Sequence, residues 1–229
     1  MSTLSASEAL RVKLDLAAPA LHAATTALWD TDPGRLRARY VEYLHAMHML
    51  IRASVPLMEA AARRCRELSG PDPLAAPLGR FLDEHARGER GHDAWLLEDL
   101  AAAGGDPEAA VHRLPFPVVA DLAGAQYYWL QHHHPVALLG YIRVLEGNAP
   151  ATWLAGRLAG LTGLPAAAFR TLREHAALDT GHTAEVDALL DRLAPSHALQ
   201  AAIGVSALRT ADGFVRLFSQ LTTVPGGPA

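Results

Sequence analysis

The strongest constraint on this chain is the spacing of its apolar residues. Alanine and leucine dominate, they recur at helical intervals over long stretches, and alternating Val/Ile/Thr runs of the strand type are nearly absent. The pattern predicts an all-α fold. A first helix is expected over about residues 7–28, with Pro19 awkward inside it. Thr31-Asp32-Pro33-Gly34 then turns into a long second helix running towards Leu68, whose stripe Tyr40, Leu44, Met47, Leu50 and Ile51 faces the core. Ser69-Gly70-Pro71-Asp72-Pro73 breaks the chain, with Asp72 placed to cap the next helix, which should continue to Gly104-Gly105. Asp106-Pro107 opens a short helix, Pro115 and Pro117 interrupt, and a further segment broken or kinked at Pro135 reaches Gly147. Two more helices are expected over about 165–193 and 196–221, leaving 222–229 as a flexible tail. No stretch resembles an interdomain linker, so a single domain over 1–229 is expected, with its core over about 35–221.

Composition excludes some functions. With 229 residues and 50% apolar content, the chain can bury one sizeable core. A net charge of -4 supplies no basic excess to hold nucleic acid or an anionic membrane. No basic region precedes an apolar run at the N-terminus and no stretch is long and apolar enough to span a membrane, so a cytoplasmic location is expected. The single Cys65 excludes an internal disulfide and a cysteine-based zinc site. Within Arg63-Arg64-Cys65-Arg66 it reads as a partly buried thiol, although neighbouring cations would lower its pKa.

Histidine is the unusual residue, with 12 copies, and it recurs in a pattern. His85-Ala86-Arg87-Gly88-Glu89-Arg90-Gly91-His92 and His175-Ala176-Ala177-Leu178-Asp179-Thr180-Gly181-His182 both read His-x3-acid-x2-His. On a helix, positions i, i+4 and i+7 fall within an arc of roughly 60°, so each copy would project two imidazoles and one carboxylate from one stripe. Mixed nitrogen and oxygen donors suit iron or manganese better than zinc. Chance on a solvated face is the plainer reading, and two copies weaken it. Gly88, Gly91 and Gly181 each weaken a helix, a cost that close packing around a metal would justify. A binuclear site also needs a carboxylate from a third helix. Glu146 is placed for this at the end of an apolar stretch; its alternatives are an ion pair with Arg143 or exposure at the helix end. His132-His133-His134-Pro135 reads as a polar loop beside a helix break rather than a metal tract. His45 and His48 read as core or pocket-lining groups, and Tyr127-Tyr128-Trp129 as core with one ring, Tyr128, facing the pocket.

These residues carry a resemblance. His85 to His92, continuing as Asp93-Ala94-Trp95-Leu96-Leu97, together with Tyr141 to Gly147 and the His175, Asp179, His182 triplet, resembles the haem-oxygenase-like diiron oxidases, also called iron-containing redox enzymes, over about residues 35–195. The resemblance implies an all-helical fold of about seven helices in which Glu89, His92, Glu146, His175, Asp179 and His182 bind two iron ions. His85 stands where members of that family differ, and either ligates iron or hydrogen-bonds a ligand carboxylate. The resemblance further implies activation of O2 as co-substrate to oxidise a small organic molecule in specialised metabolism. N-oxygenation of an amine or amino-acid-derived compound is the favoured chemistry, with oxidative C–C cleavage, decarboxylation or desaturation as alternatives. An external electron donor and a homodimer are compatible partners. Two other classes stay open: a metal-independent thiaminase-like enzyme, for which Cys65 lies on too early a helix, and a non-catalytic helical binding protein or iron store.

Overall fold

In a computed structural model of the chain, residues 4–225 are described, except for the side chains of Asp179 and Thr180. They form ten α-helices and two short 3-10 turns, with no strand among the described residues. The local signals account for most boundaries. Ser5 opens α1 (Ala6–Trp29) in a capping box: its hydroxyl accepts from Glu8 N–H at 3.3 Å, and its own N–H donates to the Glu8 carboxylate at 2.8 Å. Asp32 caps α2 (Pro33–Leu68) by accepting from Arg35 N–H at 3.0 Å, with Pro33 in the first turn.

The 36-residue α2 is the rod around which the molecule is arranged. It buries Tyr40, Leu44, Leu50 and Leu57 among other residues, and packs along α3 (Ala75–Glu89), α4 (His92–Ala102) and α6 (Pro117–His132). After α5 (Pro107–His112) and α6, the Pro135–Ala137 3-10 turn leads directly into α7 (Leu138–Glu146), as the proline predicts. The last helix, α10 (His197–Thr222), packs along α1, α6 and α7. At the α7–α10 crossing, a Cβ on Gly140 would run into the Ile203 carbonyl oxygen, so only glycine allows the two backbones to approach this closely.

Three expectations change. The sequence shows no sign of α8 (Leu154–Thr162), because Gly156 and Gly160 dilute a short pattern that alone looks like loop. Asp72 does not cap α3, which begins at Ala75 without a side-chain cap; it accepts instead from Leu74 N–H at 2.9 Å and meets His134 Nε2 at 2.6 Å. The helix expected to run unbroken from Pro73 to Gly104 is two helices. Arg90 and Gly91 separate α3 from α4, and Gly91 has φ +89°, a left-handed conformation that costs other residues roughly 1–2 kcal/mol. The second His-x3-acid-x2-His copy stays within one uninterrupted helix, α9 (Arg170–Leu193), preceded by the Ala166–Phe169 3-10 turn.

Candidate metal centre

The α3–α4 break brings together what a straight helix would spread out. His85 and Glu89 end α3, His92 opens α4, and the Glu89 carboxylate bends back to meet His92 Nδ1 at 3.0 Å. From α7, Glu146 places one oxygen 3.2 Å from His85 Nε2 and the other 3.1 Å from His182 Nδ1 on α9. His182 Nδ1 is also 3.9 Å from Glu89. Among the described residues two groups of donors result, each with its ligand atoms within 4.8 Å of one another: His85, Glu89, Glu146 and His182, and Glu89, His92 and His175. Glu89 belongs to both. Nitrogen and oxygen atoms 3.0–3.2 Å apart have about the separation expected of two ligands that meet one cation at right angles with bonds of roughly 2.1 Å. Two carboxylates among four imidazoles in a largely buried pocket form a donor set that fits two divalent cations.

Neighbouring groups hold these donors in place. His175 Nδ1 donates to the Thr171 carbonyl at 3.2 Å, which fixes its tautomer and leaves Nε2 for a metal. Phe81, one turn before His85, stacks on its ring at 5.4 Å. Trp95 stacks on His92 at 4.1 Å and is covered in turn by the Arg170 guanidinium at 4.6 Å. Fully buried Asp99 on α4 accepts from Arg170 N–H and Thr171 N–H, both at 2.9 Å. That carboxylate caps α9, which has no cap of its own, and so ties the helix of His92 to the helix of His175. Phe81, Trp95 and Asp99 were missed as supporting residues, although each lies three, four or seven residues from a predicted ligand, on the same helical face.

Burial and charge oppose each other at the donors. Burial pushes His85 down, but its hydrogen bond to Glu146 and the nearby Glu146 and Glu89 charges outweigh this and raise its pKa. Burial pushes Glu89 up, but the His92 hydrogen bond and the surrounding imidazoles hold it low. His175 is lowered mainly by burial. The centre therefore favours a carboxylate form of Glu89 and a neutral His175, the forms that bind a metal.

His85, Glu89, Glu146 and His175 also line a cavity of about 680 Å³, whose remaining wall is mostly apolar and drawn from α1, α2, α4, α7, α8, α9 and α10. Exposed Asp30, Trp153 and Arg157 also line it, with the Arg157 guanidinium 5.8 Å from the Trp153 ring.

Of the predicted site residues, His85, Glu89, His92, Glu146, His175 and His182 are brought together. Asp179 belongs to α9, but its side chain lies outside the described residues. Arg143 is not the partner of Glu146: its guanidinium clasps Asp187 on α9 at 2.7 and 3.2 Å, outside the cavity wall. His48 is buried but does not line the cavity, and Tyr128 is 63% exposed on α6, away from it. Both owe this to helix phase: the α2 residues in the wall include Met47, Leu50 and Ile51, and His48 turns aside. His134 is structural, bonded to Asp72 and accepting from Val136 N–H at 3.0 Å. Nor do the motif glycines mark close packing. A Cβ at Gly88, Gly91 or Gly181 would meet nothing within 4 Å, and only Gly91 has a conformational reason to be glycine. Cys65 is buried on α2 outside the cavity wall, and burial, not the adjacent arginines, decides its acidity, pushing the thiol up to about 12.

The family model for iron-containing redox enzymes matches residues 41–214. No curated protein sequence matches the chain. Among solved structures, a domain of unknown function with a heme oxygenase-like fold from Shewanella denitrificans OS217 is similar at a TM-score of 0.73 and 16% identity, covering 91% of this chain and 90% of its own. A TenA homolog from Pseudomonas syringae pv. tomato DC3000 is similar at a TM-score of 0.70 and 14% identity, with 93% of both chains covered. At these identities the likeness is one of fold: the chain has the heme oxygenase-like architecture.

Proposed function

The chain belongs to the iron-containing redox enzyme family, and from that premise we propose that it is a non-haem diiron oxidase that uses O2 to oxidise a small, largely apolar organic substrate. The observation that carries this reading is that Glu89 is common to two donor groups, His85, Glu146 and His182 completing one and His92 and His175 the other. A carboxylate so placed could serve both cations, and ferrous iron held there would supply the electrons for oxidation by O2.

The chain's own residues have defined tasks. Glu89 and Glu146 would balance the charge of the cations, and the four imidazoles would hold them. Asp99 keeps α4 and α9 in register, and the apolar cavity wall excludes water and takes up the substrate. N-oxygenation of an amine is the reaction to test first, with C–C cleavage, decarboxylation and desaturation possible outcomes of the same centre. Turnover beyond the first would draw on an external electron donor. The position of Cys65, buried outside the cavity, argues against a thiol nucleophile acting here.

Anaerobic loading with ferrous iron followed by metal analysis and oxygen-uptake measurements tests this reading. The wild type should bind two irons per chain and consume O2. Glu89→Ala should lose both irons, and His182→Ala or His92→Ala should each lose one. Unchanged iron content in Glu89→Ala, or no oxygen uptake by the loaded wild type, would sink the proposal.

A further inference from the structure

Two buried hydroxyls in the cavity wall have no partner other than each other. Ser54 on α2 and Tyr141 on α7 both line the cavity, and both are more than nine-tenths buried, at 8% and 2% exposure. Neither side-chain oxygen makes a hydrogen bond of proper geometry. They are neighbours nonetheless, since the Ser54 hydroxyl bears directly on the Tyr141 phenol. The third buried hydroxyl of this wall, Thr171, differs in having the Asp99 carboxylate beside it.

Burying a hydroxyl without a partner costs stability, and a wall built only for packing would be better served by phenylalanine and alanine. The two groups are also electrically plain. Apart from Ser54, the polar group acting most on the phenol is the Tyr127 hydroxyl, ahead of any cation or carboxylate among the described residues. An ionised substrate group here would have no counter-charge. A neutral carbonyl oxygen, with two lone pairs for two O–H donors, matches both chemistry and charge. Tyr141 lies five residues before Glu146 on the cavity face of α7, about 7.5 Å along the helix axis at the usual rise.

We propose that Ser54 and Tyr141 form a substrate-recognition subsite that donates two hydrogen bonds to a neutral carbonyl oxygen of an otherwise apolar substrate, several bonds away from the atom presented to the metals. This rests on the reading of the cavity as the oxidase's substrate chamber. The subsite selects ketones, amides or esters over hydrocarbons of the same shape, and it fixes which atom of the substrate faces the donors.

The probes are acetophenone and ethylbenzene, which differ by a carbonyl in place of a methylene. Their affinities are measured calorimetrically on the full chain, loaded anaerobically with ferrous iron and, in parallel, without it. The ratio of the two affinities is the readout, because it cancels general changes in the cavity. Ser54→Ala and Tyr141→Phe should each lower the acetophenone preference about three- to tenfold, and the double variant by tenfold or more, with ethylbenzene binding unchanged or improved. The variants should melt at or above the wild-type temperature, since each removes an unsatisfied buried group. A ratio in the double variant within about twofold of wild type would overturn the subsite, as when an ordered water already satisfies both hydroxyls. That result would leave iron uptake untouched, whereas failure of the wild type to bind iron would overturn the diiron reading and leave the ratio in the metal-free chain untouched.

Discussion

Alanine at position 91 tests the break that builds the metal centre. Gly91 has φ +89° and ψ −3°, is exposed, and has open space around the position of a Cβ, so a methyl group there meets no neighbour and its effect is purely conformational. A left-handed conformation costs an L-residue roughly 1–2 kcal/mol. The smaller unfolded-state entropy of alanine returns about 0.4–1 kcal/mol. The net expectation is a destabilisation of roughly 0.5–1.5 kcal/mol. Gly88, three residues earlier, is exposed, equally unobstructed and within α3, so Gly88→Ala should stabilise by about 0.5–1 kcal/mol. The two alanines thus act in opposite directions, and their difference of roughly 1–2.5 kcal/mol corresponds to about 2–10 °C in Tm for a chain of this length. Gly181→Ala in unbroken α9 should behave like Gly88→Ala. Thermal unfolding followed by circular dichroism on metal-free protein measures all three. Gly91→Ala should also weaken iron binding, because Glu89 and His92 flank the turn. A stabilising Gly91→Ala would mean that α3 and α4 are one helix, and the account of how Glu89 meets His92 would fall with it.

Gly140→Ala should destabilise by about 3 kcal/mol or more, because the added methyl meets the backbone of α10 rather than a movable side chain; denaturant unfolding measures it. Cys65, buried and with its thiol pushed up to about 12, should resist iodoacetamide at about pH 8 in the native protein and react fully in urea, as mass spectrometry would show. Burial pushes the Asp72 carboxyl up, but the His134 and Leu74 hydrogen bonds outweigh it and hold the pKa below the ordinary value. The stability this contributes is therefore present at neutral pH and lost as pH falls through the depressed value, and Asp72→Asn should flatten that acid limb of the Tm profile.

Helix phase explains which parts of the site were legible. His175 and His182 belong to an unbroken helix, so spacing alone put both on one face, and both reach the centre. Glu146 was recognisable as a carboxylate ending an apolar run, a setting that requires a cation or another partner. His85, Glu89 and His92 do cluster, but not from one helix: the continuous stripe drawn through them ignores the backbone freedom of Gly91. Tyr128, 63% exposed on α6, was misplaced by helix phase, whereas Arg143 is taken by a long-range partner, Asp187, 44 residues away.

Local chemistry written in the sequence thus determined the helical class, most helix starts and the identity of the clustered donors, since caps, prolines and apolar periodicity act within a few residues. Only the tertiary structure decided that Glu89 is shared between two donor groups, that Asp99 joins α4 to α9, and that Ser54 and Tyr141 meet in a cavity wall. Each of these depends on how separate helices pack, and packing is settled by contacts between residues far apart in the chain, which no local spacing records.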